Sequence, residues 1–150
     1  GASVALGAME TFISAPDAQN GNGLDHGRVF TYSYANGDTT EFPSGFHMPT
    51  SSDNWGYTIA TLDDLLVIGI SGIDVALDES PDQGDRSGVA IYRRAMDGSW
   101  AGARLFLPDP SMTVHAGGSV ALSDRFIVLG ATSRDPGSES DRVYLLAHPQ

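Results

Sequence analysis

The stretch Gly117-Gly-Ser-Val-Ala-Leu-Ser-Asp-Arg-Phe-Ile-Val-Leu-Gly-Ala-Thr132 decides the fold, because its pattern occurs three times in the chain. Gly56-Tyr-Thr-Ile-Ala-Thr-Leu-Asp-Asp-Leu-Leu-Val-Ile-Gly-Ile-Ser71 aligns with it without a gap. So does Gly1-Ala-Ser-Val-Ala-Leu-Gly-Ala-Met-Glu-Thr-Phe-Ile-Ser-Ala-Pro16. The register places Gly at 1, 56 and 117 and Ala at 5, 60 and 121. Each copy holds two short apolar runs split by a tight polar connection, which is how paired strands read. The copies are spaced by 55 and 61 residues, the size of one propeller blade that buries its faces against its neighbours.

Outward from this anchor, each repeat continues with a third run: Gly27-Arg-Val-Phe-Thr-Tyr-Ser-Tyr34, Ser87-Gly-Val-Ala-Ile-Tyr-Arg-Arg94 and Asp141-Arg-Val-Tyr-Leu-Leu-Ala-His148. Asn36-Gly37 and Asp97-Gly98 follow the first two, dipeptides that favour positive φ and tight hairpins. Each leads to a fourth run, closed by Pro43 and Pro108. The expected strands are about 2–7, 10–15, 28–35 and 39–43, then 57–62, 65–71, 88–95 and 100–107, then 118–123, 126–131 and 142–148. No window carries a 3.6-residue apolar period, so the expected class is all-β. Four-stranded meanders in tandem predict β-propeller blades, here three repeats over about 1–55, 56–116 and 117–150, the last incomplete. The whole chain is expected to form one propeller segment, an excerpt of a larger propeller or one that assembles into it. Gly at the opening of each first strand suits innermost strands whose backbones crowd together.

These residues resemble the FG-GAP repeat family, known from the propeller head of integrin α subunits. The "FG" position reads Trp55-Gly56 and Ala116-Gly117, and the "GAP" position reads Ser14-Ala15-Pro16, Gly69-Ile70-Ser71 and Gly130-Ala131-Thr132. The resemblance covers essentially the whole chain. It implies an extracellular or cell-surface protein and a non-catalytic role in adhesion, protein binding or structural assembly. In integrin-like repeats calcium occupies an Asp-x-Asp-x-Asp-Gly loop between the first and second strands. Here that connection is only Gly7-Ala8-Met9, Leu62-Asp63-Asp64 or Ser123-Asp124-Arg125, too short for such a loop.

The chain of 150 residues carries 19 acidic against 8 basic residues, a net charge of −11. Asp outnumbers Glu by 15 to 4 and every basic residue is Arg. Such a charge repels phosphate backbones, so nucleic acid is not an expected partner. No run approaches about 18 consecutive apolar residues, so no helical membrane insertion is expected. The absence of Cys removes disulfides, thiol catalysis and thiolate zinc sites together. Excess Asp suits turns, acidic surfaces, or oxygen ligation of a hard cation such as calcium. The acidic residues concentrate in the connections between second and third strands. Asp74, Asp78, Asp82 and Asp85 form the best candidate calcium set, and Asp17, Asn20, Asn22 and Asp25 a second. The same residue types make plain surface turns, the commoner outcome.

In a meander these long connections emerge at the same end as the links between repeats, residues 47–54 and 109–116. Loops on a rigid scaffold commonly carry function, so His47, Arg86, His115 and Arg134 are the polar candidates for ligand contact. Catalytic patterns are not found: the four His share no H-E-x-x-H spacing, and no Gly-x-Ser-x-Gly elbow occurs. The expected function is a non-enzymatic module for protein binding or adhesion. A lectin-like propeller that binds glycan, and an accessory propeller of a larger secreted enzyme, are the alternatives. A second copy of the chain, or another chain that completes the propeller, is an expected partner.

Overall fold

The computed structural model describes residues 2–19, 27–43, 54–73, 86–108, 114–133 and 141–148. These residues form eleven strands: β1 (Val4–Leu6), β2 (Glu10–Ala15), β3 (Arg28–Ser33), β4 (Thr39–Glu41), β5 (Trp55–Leu62), β6 (Leu65–Ile73), β7 (Arg86–Arg94), β8 (Trp100–Phe106), β9 (Val114–Leu122), β10 (Phe126–Ser133) and β11 (Arg142–Ala147). They build three antiparallel meanders, β1-β2-β3-β4, β5-β6-β7-β8 and β9-β10-β11, in which every strand pairs only with its neighbours in sequence. The all-β expectation is met, and the described residues close no barrel or ring. The repeat register survives in the ladders: Ala5 faces Phe12, Ala60 faces Val67, and Ala121 faces Val128. Two residues further along the second strand of each sheet, Ser14 pairs Val29, Gly69 pairs Val89, and Gly130 pairs Val143.

The sheets pack face to face in chain order. Phe12, Val29 and Phe42 of the first sheet meet Ile59, Leu66, Ile68, Ile70 and Tyr92 of the second. The opposite face of the second sheet, with Leu65, Val67, Val89 and Ile91, meets Ile127 and Leu129 of the third. A middle sheet covered on both sides explains the unbroken apolar run Leu65-Leu-Val-Ile68, since neither face needs polar residues. The first interface is aromatic. Phe12 meets Phe42 and Trp100 edge to face, with ring centroids 5.8 and 5.5 Å apart, and Phe42 meets Tyr92 at 5.0 Å. Its lower border is polar: Glu10 accepts a hydrogen bond from Trp100 Nε1 at 2.8 Å and pairs with Arg94, whose guanidinium lies 4.6 Å from the Trp100 ring centre. Both tryptophans thus serve inter-sheet packing, and Trp55 is buried rather than offered as a stacking surface.

One expectation is corrected. Gly56 and Gly117 do not open their strands, because β5 starts at Trp55 and β9 at Val114. Each sits inside its strand at a bulge, where Trp55 still pairs Ile70 and Ala116 still pairs Ala131 across a shift in register. Both adopt a left-handed φ, 86° and 81°, a conformation that glycine reaches without strain. The bulge brings backbone against the preceding sheet. A Cβ on Gly56 would lie 2.8 Å from Val29 Cγ2, and one on Gly117 would lie 2.5 Å from the Gly88 carbonyl oxygen. A glycine at the head of an apolar run predicts a strand that begins there, whereas the ladders show a strand that bulges and continues.

Hydroxyl groups tie successive sheets beside these bulges. The Ile59 N–H donates to Ser3 Oγ at 3.2 Å, and Thr58 Oγ1 donates to the Gly117 carbonyl at 2.8 Å. Ser3, Thr58 and Ser119 share one register position. On β7, in the interior of the second sheet, burial raises the Tyr92 phenol well above its ordinary pKa. An acid whose folded pKa is raised stabilises fully below the unfolded value, near 10, and loses that contribution as pH rises above it. Stability is therefore expected to fall by about 1.4 kcal/mol per pH unit above about pH 10 through this group. Urea titrations across that range should show the slope in the native chain and lose this component in Tyr92→Phe.

Candidate functional site

The end of the second and third sheets that bears the glycine bulges also bears a cleft of about 560 Å³. Its walls come from β5, β6, β9, β10 and the residue preceding β5: Asn54, Tyr57, Ser71, His115, Ser119 and Thr132, with Gly118 and Gly130 leaving space between them. The wall is built by the repeat. Asn54 and His115, Tyr57 and Gly118, and Ser71 and Thr132 are pairs of matched register positions contributed by successive sheets. Tyr57 presents an exposed ring, made possible by the bulge that turns it away from the core.

His115 holds the two sheets together here. Its Nδ1 shares a hydrogen bond of 2.9 Å with Ser71 Oγ, and within its own sheet it pairs Thr132. Ser71 is buried, whereas the imidazole is half-buried and borders the cleft. A serine beside a histidine is the first element of a nucleophile–base pair. Here the shared bond with Ser71 fixes the position of the imidazole at the border of the cleft. The described residues of the lining offer hydroxyl, amide and imidazole groups, with no carboxylate, guanidinium or ammonium among them. Such a surface exchanges neutral hydrogen bonds with a ligand and sets an aromatic ring beside them.

Of the four polar candidates, His115 is thus brought into a site. It stands on β9, not in a loop. Arg86 likewise falls on β7, where it pairs Ile73, instead of in the preceding loop. His47 and Arg134 lie outside the described residues. Of the candidate calcium ligands, Asp17 is exposed beside the end of β2. Asn20, Asn22, Asp25, Asp74, Asp78, Asp82 and Asp85 lie outside the described residues, and no group of three or more His, Asp or Glu suited to a metal occurs among the described ones. Asn54, Tyr57, Ser71, Ser119 and Thr132 were missed by motif reasoning. Their signal was available in the repeat alignment, where polar residues recur at matched positions beside the bulge glycines.

A second, smaller cleft of about 240 Å³ lies at the opposite end, between the short turns of the first and second sheets, lined by Met9, Phe12, Thr61, Asp63, Asp64 and Arg94 among others. Arg94 is committed there to Glu10, and the lining is chiefly apolar. No helix among the described residues is long and apolar enough to cross a membrane. No protein-family model matches the chain, and no curated protein or solved structure is similar to it.

Proposed function

We propose that the chain is a run of β-propeller blades of the FG-GAP type acting as a non-catalytic extracellular module. It meets a protein partner with the end that carries the His115 cleft. The observation that supports this reading most is the repeated construction of that end. Bulge glycines 56 and 117, both with left-handed φ, seat each inner strand against the sheet before it and frame matched polar positions around one opening. Rigid strands there hold side chains more precisely than loops would, which suits a fixed surface offered to a partner. A second reading is favoured by one particular feature, the exposed Tyr57 ring beside neutral hydroxyl groups, which is suited to a sugar face.

Both readings are tested by one variant. Gly118 has an ordinary φ, and a Cβ there would lie 3.4 Å from its nearest neighbour, the His115 carbonyl oxygen. Gly118→Trp should therefore fold and fill the cleft. The native chain and this variant are screened side by side against a displayed peptide library and a glycan array. Peptides that bind the native chain and lose at least about tenfold, or about 1.4 kcal/mol, on the variant are the expected result. Glycan hits with the same loss would favour the lectin reading. Binding that ignores the substitution would place recognition elsewhere.

A further inference from the structure

The stack of three sheets ends on two open faces, and the repeat identifies what each would pack against. In every sheet one face looks toward the following sheet. Val29 occupies that face in the first sheet and is 0% exposed; Val89 is its register equivalent in the second and is also 0% exposed. Val143 is the equivalent in the third and is 73% exposed. Leu145 beside it is 60% exposed, and Phe126 is also open. The other face of each sheet looks toward the preceding one. Ile59 and Tyr92 of the second sheet occupy it and are buried, whereas their equivalents in the first, Val4 and Tyr32, are exposed together with Leu6.

The forward face of the third sheet is not patterned for water, and the rear face of the first mixes Val4, Leu6 and Tyr32 with Thr11 and the Arg28–Glu41 pair. A terminal repeat that ends a stack carries a polar outer face. Here Phe126-Ile-Val-Leu129 and Val143-Tyr-Leu-Leu146 are as continuously apolar as the middle sheet's Leu65-Leu-Val-Ile68, which is covered on both sides. Ser119 repeats the hydroxyl that Ser3 and Thr58 use to hold the following sheet, and it is exposed. The forward face of the third sheet is thus a further copy of an interface already made twice, and the rear face of the first sheet supplies its complement.

We infer that the forward face of the third sheet, at Phe126, Val143 and Leu145, packs on the rear face of the first sheet, at Val4, Leu6 and Tyr32, of a second copy of this chain. The contact is heterologous, head to tail, and closes into a ring when the rotation between copies permits. Two copies bring twice three sheets, inside the roughly four to eight blades of closed propellers. The inference rests on the stacked sheets and their register, and holds whatever the His115 cleft binds.

The test uses two substitutions at residues exposed in the single chain, Val143→Asp on the forward face and Leu6→Asp on the rear. Each keeps the fold, checked by circular dichroism. Light scattering after size exclusion is run at about 0.15 M and 1 M salt, because two chains of net charge −11 repel at long range and salt screens that repulsion. The native chain is expected to be larger than a monomer, more so at high salt, and each variant to be monomeric. Mixed together, the variants should form a one-to-one pair, since Leu6→Asp retains an intact forward face and Val143→Asp an intact rear face. A native chain that stays monomeric at both salts would overturn the inference. So would a mixture that stays monomeric, or a variant that remains assembled by itself, the mark of a symmetric contact between like faces.

Discussion

Gly117→Ala is expected to destabilise the chain by about 4 kcal/mol, from two sources that a control can separate. The first is the backbone: φ at Gly117 is 81°, where an L side chain costs roughly 1–2 kcal/mol. The second is contact, since the added methyl would lie 2.5 Å from the Gly88 carbonyl oxygen, backbone that has no rotamer in which to retreat. Relief requires β9 to move away from the second sheet. That movement would strain the hydrogen bond from Thr58 Oγ1 to the Gly117 carbonyl and loosen the aliphatic core around Val89 and Leu129. Gly98 is the control. Its φ of 85° is equally left-handed, but a Cβ there has nothing within 4 Å, so Gly98→Ala should cost only about 1 kcal/mol. Urea midpoints of the two variants give the contribution of close inter-sheet approach by difference. Equal losses would mean that the bulge relaxes freely and does not set the spacing between sheets.

The strands and their pairing were legible because the repeat supplied three readings of one pattern. Ala5, Ala60 and Ala121 fixed the alignment, and Asn36-Gly37 and Asp97-Gly98 marked hairpins whose glycines do adopt positive φ. The bulges were not legible. A glycine at the head of an apolar run looks like a boundary, and only the pairing of Trp55 with Ile70 and Ala116 with Ala131 shows that the ladder resumes beyond it. The cleft was half legible. His115 was singled out for its place near the link between repeats, but its bond to Ser71 joins residues 44 apart and depends on how two sheets meet. Apart from Asp17, the candidate calcium ligands lie outside the described residues. The direction of stacking could not be read at all. Phe126-Ile-Val-Leu129 and Leu65-Leu-Val-Ile68 are equally apolar, yet in the single chain one run has an open face and the other has none.

Phe12→Ala is expected to remove about 4 kcal/mol, within the roughly 3–5 kcal/mol typical of such truncations. Phe12 is fully buried on the forward face of the first sheet. Its loss leaves a cavity that its neighbours cannot easily fill. Phe42 stands 82° to it and is held on its other side by Tyr92; Trp100 is fixed by its hydrogen bond to Glu10 and by the Arg94 guanidinium beside its ring. A loss of this size is a large share of the 5–15 kcal/mol that holds a typical domain together. How it appears in urea unfolding then reports on cooperativity. If the three sheets unfold as one unit, the midpoint falls and the slope stays unchanged. If the stack behaves as coupled repeats, the first sheet detaches early and the slope drops, with β5 through β11 retaining their protection from hydrogen exchange. The first outcome is expected, because the Glu10–Arg94 pair and the Ser3–Ile59 bond cross the same interface and would be lost together with the aromatic packing.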